Sequence, residues 1–133
     1  MAFSISATSS TVAVTGTLNF SGQNLTTATG QVAASGTTNI KTVTAGKTLY
    51  LVSACLQNLT TANNTATVEL KDDSGQSFLQ VANANGVTLT SSGPLVALTY
   101  PPGYFPTVAA TKILQCSAGA NCTAIYSVQY YEA

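Results

Sequence analysis

The sequence predicts an all-β protein, an antiparallel sandwich or barrel. Three observations carry this. Strong helix formers are few while Thr, Val, Tyr and Ser are abundant. Apolar residues recur at period two along most of the chain. These runs return at roughly 8–12-residue spacing, divided by Gly, Pro, Asn and Asp.

Taken in order, "TVAVTGTLNF" places Val12, Val14, Leu18 and Phe20 on one face of an extended segment. "SGQNLTTATGQVAASGTTN" is rich in Thr, Gly and Ala and poor in large apolar groups. Residues 1–40 therefore read as an arm or peripheral strands, and residues 41–133 as the core. "TAGKTLYLVSACLQ" opens on a turn at Gly46 and continues as a strand. Both its faces are apolar, so it is expected to be central, covered on both sides, with Cys55 in the core. "ATVEL" alternates Val68 and Leu70 with Thr67 and Glu69. "KDDSGQS" is a turn, and "SFLQVAN" returns to complete a hairpin. "GVTLTSSGPLVALTY" reads as two short strands broken at Ser92-Gly93-Pro94. "PPGYFP" holds three of the four prolines and belongs in a loop or at a sheet edge. "TKILQC" and "CTAIYSVQYYE" read as a last hairpin.

Composition excludes several functions. Of 133 residues, 45% are hydrophobic and only 6% are charged, against an average near 25% charged. Positive mean hydropathy argues for a folded chain rather than a disordered one. Net charge is zero, which gives an isolated monomer little protection against association. Arg, His and Trp are absent. Four scattered lysines cannot neutralise a phosphate backbone, so no nucleic-acid partner is expected. Nothing resembles a membrane-surface helix or a membrane span, so no membrane partner is expected. "MAFSISATSS" lacks the features of a signal peptide. The expected course is synthesis in a host cytoplasm until assembly, with a mature secreted chain given a new Met as the alternative.

"AGKT" invites a nucleotide-binding reading, which its context removes. The loop needs a Gly where Lys41 stands, and a helix where a strand follows. No cofactor is expected. Nucleophilic catalysis lacks a His partner. Asp72 and Asp73 are neighbours on a turn, where solvated acids are the expectation; with Ser74 they could at most hold a weak surface Ca²⁺. The chain is read as no enzyme, with no catalytic residue and no metal site. Cys116 and Cys122 end a short loop, "CSAGANC". If their strands pair, a disulfide between them is possible; a reducing compartment favours free thiols. Tyr100, Tyr104 and Phe105 on the Pro-rich loop, with Tyr130 and Tyr131 near the C-terminus, form a candidate interface; capping the sandwich is the competing role.

The run "TVTAGKTLYLVSACLQNLTTANNTATVELKDDSG", followed by "PPGYF", "AIYSVQYYE" and Glu132, resembles a pattern of bacteriophage virion β-sandwich proteins. The resemblance covers about residues 41–133. It implies a jelly-roll-like sandwich with an extended N-terminal arm, and a structural role as a capsid decoration (cement) protein. Such proteins bind the outer shell, bridge copies of the major capsid protein and commonly form homotrimers. Two alternatives stand beside it. One is a sandwich subunit of an extracellular filament or pilus assembled by strand donation. The other is a carbohydrate-binding module or fibre.

Overall fold

A computed structural model describes residues 19–20, 23–60, 67–82 and 95–133. The segment around Val12, and the first of the two strands expected before Pro94, lie outside these residues. Eleven strands run β1 Asn19–Phe20, β2 Gln23–Asn24, β3 Thr26–Val32, β4 Thr37–Thr42, β5 Leu49–Thr60 and β6 Thr67–Asp72, then β7 Ser77–Ala82, β8 Leu95–Thr99, β9 Thr107–Val108, β10 Ile113–Ala118 and β11 Cys122–Glu132. No helix is long and apolar enough to cross a membrane among the described residues.

Two antiparallel sheets make the sandwich. One has the order β4-β10-β6-β7; the other has the order β3-β11-β5-β8, with β9 also paired to β5. Position by position, the two orders match strands that are neighbours in sequence: β3 with β4, β11 with β10, β5 with β6, β8 with β7. Eight strands arranged in this way are a jelly roll. β1 and β2 form a separate two-stranded ribbon. β3 and β4 are the edge strands of the two sheets, and the 40/41 boundary drawn from composition falls inside β4.

The core is the space between the sheets. Leu49, Leu51, Leu56, Val68, Leu70, Leu114 and Val128 are almost wholly buried there. β11 keeps strict alternation, burying Cys122, Ala124, Tyr126, Val128 and Tyr130. β6 follows the same rule through Val68, Leu70 and Asp72.

β5 departs from the expected pattern. Its register against β11 passes from Ser53↔Gln129 to Leu51↔Tyr130, so Val52 is an extra residue. This bulge reverses the parity of the strand. Leu49 and Leu51 point inward before it; Ala54, Leu56 and Asn58 do so after it. Cys55 is thereby turned outward and half-exposed, which corrects its placement in the core. β5 is central, and among the described residues the Pro-rich loop covers its outer side at Tyr50 while Ser53, Cys55 and Gln57 carry no second layer, so the expected cover on both faces is corrected in part.

The last two strands do not form a hairpin. β10 pairs with β4 and β6, β11 with β3 and β5. Each is an interior strand with two partners in its own sheet, so Gly119–Asn121 must cross between sheets rather than turn back. Asn121 adopts φ 61° in this crossing. The β3–β4 crossing lies beside it, tied by Ser35 N–H to Gly119 O at 3.0 Å and Ala118 N–H to Gly36 O at 2.9 Å.

The expected β6–β7 hairpin forms, but Asp72 is not solvated. Parity turns it inward to 4% exposure. Its Oδ1 accepts hydrogen bonds from Ser74 N–H (2.9 Å), Ser74 Oγ (2.7 Å) and Gln76 N–H (2.8 Å).

Candidate assembly surface

The turn at "TAGK" closes by a hydrogen bond from Lys47 N–H to Thr44 O, 3.0 Å. Gly46 sits at φ 77°, the third position of a type II turn. Its product is a strand entry, with Thr48 and Ala133 exchanging backbone hydrogen bonds at 2.8 and 3.0 Å. Glu132 caps the same end. Its Oε1 accepts from Thr44 N–H and its Oε2 from the Thr44 hydroxyl, both at 2.9 Å, and Lys41 Nζ stands 3.5 Å away. Burial pushes the Glu132 carboxyl up; the two Thr44 hydrogen bonds and Lys41 outweigh it, so its pKa is lowered. Lys47, Lys41, Asn24, Tyr130 and Glu132 line a polar cleft of about 310 Å³ at this end.

The Pro-rich segment is a loop at the edge of the five-stranded sheet, inserted between β8 and β9, which both pair with β5. Tyr104 N–H donates to Pro101 O at 3.0 Å, and Gly103 has φ 85°, again the type II pattern. The five candidate aromatics separate. Tyr104 is 79% exposed at the tip. Phe105 meets Tyr131 edge-on at 6.1 Å, and Tyr131 stacks on Tyr50 at 5.0 Å. Tyr131 is nearly buried on the outer side of the sheet, while Tyr130 points into the core. Tyr100 packs against the core and its hydroxyl donates to Phe78 O at 3.4 Å. Four of the five, Tyr100, Phe105, Tyr130 and Tyr131, thus cap or fill the sandwich, and Tyr104 is displayed to solvent. Tyr50, which stacks on the central Tyr131, reads in the sequence only as one more apolar position of β5.

Cys116 and Cys122 are both free and buried, and the strands that carry them do not pair, so the condition for a cross-hairpin disulfide is not met. Burial pushes the Cys116 thiol up to about 12. Cys122 is also raised by burial, partly offset by its hydrogen bond to Gly119 O at 3.3 Å.

The outer face of the five-stranded sheet is the larger feature. Its registers stack Thr27, Gln129, Ser53 and Thr99 in one row, and Thr29, Ser127, Cys55 and Ala97 in the next. Gln31, Ile125, Gln57 and Leu95 complete a third row. No charged side chain stands among them. All eight charged residues of the chain lie elsewhere: Lys41 on β4, Glu69, Lys71 and Asp72 on β6, and Lys47, Asp73, Lys112 and Glu132 at turns or strand ends. Leu95 is 55% exposed and Ile125 37%. They border a mainly apolar groove of about 440 Å³ that includes Cys55 and Thr29. Composition showed that charges are few; only the topology shows that one face has none.

Fold and surface together define a jelly-roll sandwich whose five-stranded sheet has an uncharged outer face. Among solved structures, a chain of the cyanophage Pam1 capsid asymmetric unit is similar, with a TM-score of 0.54, 17% identity, and 96% of each chain covered. A chain in the acidic stable capsid structure of Helicobacter pylori bacteriophage KHP30 has a TM-score of 0.49 and 14% identity, covering 84% of this chain and 92% of that one. The likeness to the cyanophage chain is one of fold. No protein-family model matches this sequence, and no curated protein does.

Proposed function

We propose that this chain is a structural virion protein, a capsid decoration protein that binds the outside of a bacteriophage shell and holds neighbouring coat subunits together. The observation that carries the reading is the uncharged outer face of the five-stranded sheet, on a jelly roll whose fold is similar to that of a chain of a phage capsid. The protein works mechanically, as a homotrimer in contact with the major capsid protein, and has no catalytic role. Contacts made by hydroxyls, amides and apolar groups stabilise the shell without ion pairs. Residues 26–40 belong to the edge strands β3 and β4 of the sandwich and the turn between them; the segment ahead of β1 extends these contacts to a neighbour.

Mixing purified protein with shells that lack it tests the reading by co-sedimentation. Binding is expected, and occupancy should change little between low and high salt, because few charges are there to be screened. Absence of binding, or a steep loss with salt, removes it. A filament assembled by strand donation is the second reading. It is favoured by β3, an edge strand carrying neither charge nor proline along Thr26–Val32. Long polymers in native mass spectrometry would select it over a trimer.

A further inference from the structure

We propose that the groove beside Cys55 is the seat for the N-terminal segment, residues 2–18, of a neighbouring copy. The inference deepens the self-assembly part of the proposed function and rests on it.

The groove and the segment match in chemistry. Its walls are apolar at Leu95 and Ile125 and hydrogen-bonding at Thr29, Gln31 and Ser127, and no charge lies on the face. Residues 1–40 likewise contain no charged side chain. Within the segment, Val12 and Val14 alternate with Thr11, Ala13 and Thr15, so an extended chain has one apolar side and one largely hydroxyl side. An ion on either partner would lose its hydration in such a contact; neither partner has one.

Length and starting point also fit. The segment joins the β1–β2 ribbon, whose Asn24 lies beside Tyr130 at one end of β11. The groove lies further along the same strand, at Ile125–Ser127. Seventeen extended residues span roughly 55–60 Å, whereas the whole of β11 spans only about 37 Å. An extended segment of this length exceeds one sheet, which is enough chain to leave its own subunit. A segment folded onto its own sheet would cover this face without joining two copies; passed to a neighbour, it makes a head-to-tail contact, which gives a ring where the rotation closes and a filament where it does not.

Cys55 supplies the test, since it is the half-exposed thiol while Cys116 and Cys122 are buried. The full chain would be made as Val12→Cys and Val14→Cys, each with and without Cys55→Ser, and oxidised with diamide. The expected result is a disulfide between the new cysteine and Cys55 of a second copy, seen as a covalent multimer without reductant and lost with Cys55→Ser. In the unmodified oligomer, Cys55 should resist maleimide, and deleting residues 2–18 should remove that protection. A cross-link within one monomer, cross-links that survive Cys55→Ser, or a Cys55 that labels freely in the oligomer with no cross-link at either position would each overturn the proposal. The experiment needs no shell, so its failure is distinguishable from failure to bind capsids.

Discussion

Two residues do work that their types do not announce. Asn58, within an Asn-Leu-Thr triplet, is fully buried, and its Nδ2 donates to Val81 O at 3.1 Å. It links β5 to β7 across the sandwich. Asn58→Ala strands polar groups in the core and is expected to cost about 1–3 kcal/mol, measurable by denaturant unfolding. Gly30 is required by its neighbour: a Cβ there would stand 2.5 Å from the Tyr126 hydroxyl oxygen and 2.7 Å from its ring carbon. Tyr126 is buried and cannot swing clear, so Gly30→Ala should lower stability by about 1–3 kcal/mol. Thermal unfolding would show this, and Gly30→Ala with Tyr126→Phe should recover part of it.

Asp72 and Glu132 set the response to acid. Burial raises the Asp72 pKa, but hydrogen bonds from Ser74 and Gln76, with the charge of Lys112, bring it below the ordinary 3.8. Glu132 is likewise held below 4.5. A carboxylate whose pKa is lower folded than unfolded contributes stability that is complete above the unfolded value and is lost as pH falls through the folded one. Stability from these two groups is therefore expected to be flat from pH 7 to about 5 and to decline below about 4. Asp72→Ala should be less stable at pH 7 and show a shallower acid decline. Urea titrations across pH would check both signs.

At the scale of elements, the β5 bulge and the Pro-rich loop form one device. The bulge at Val52 lies where β8 ends and before β9 begins; Val52 O accepts from Tyr100 N–H at 2.9 Å, and Leu51 N–H donates to Pro106 O at 2.9 Å. The loop leaves and rejoins the sheet edge at that point. Its inner anchor is Phe105 on Tyr131. Phe105→Ala should remove the aromatic pair's share, about 0.5–1.5 kcal/mol, and speed proteolysis within residues 100–106 with little change at β6–β7. Tyr104→Ala should leave stability unchanged, since the side chain is solvated; reduced shell binding by this variant would place the loop at the contact.

For the whole molecule, charge placement matters more than charge number. The ion pairs Lys41–Glu132 and Lys71–Glu69 are partly exposed, at 3.5 and 3.8 Å, and such pairs contribute about 0–1 kcal/mol. Their positions leave the outer face of the five-stranded sheet free of ions. A charge placed there, as in Ser127→Lys, points away from the core and should leave monomer folding intact. It should nevertheless reduce self-association, because the ion would have to be dehydrated without a partner. Native mass spectrometry at matched concentrations would reveal the shift.

The sequence by itself determined the all-β class, the β6–β7 turn, the Gly46 strand entry, the alternation of β11 and the scarcity of charge. Each follows from a local rule: side chains alternate every second residue, and Gly admits a positive φ where other residues are strained. The tertiary structure decided what those rules leave open. Val52 fits either face of a strand, so only pairing with β11 shows that it is the bulge and that Cys55 faces outward. "TKILQC" and "CTAIYSVQYYE" alternate equally well as a hairpin or as strands of opposite sheets, and each strand's two interior partners made them the latter. Local periodicity shows which residues share a face only along an unbroken strand, and both the bulge in β5 and the choice of strand neighbours depend on closing the sandwich. The uncharged outer face arises from that neighbourhood.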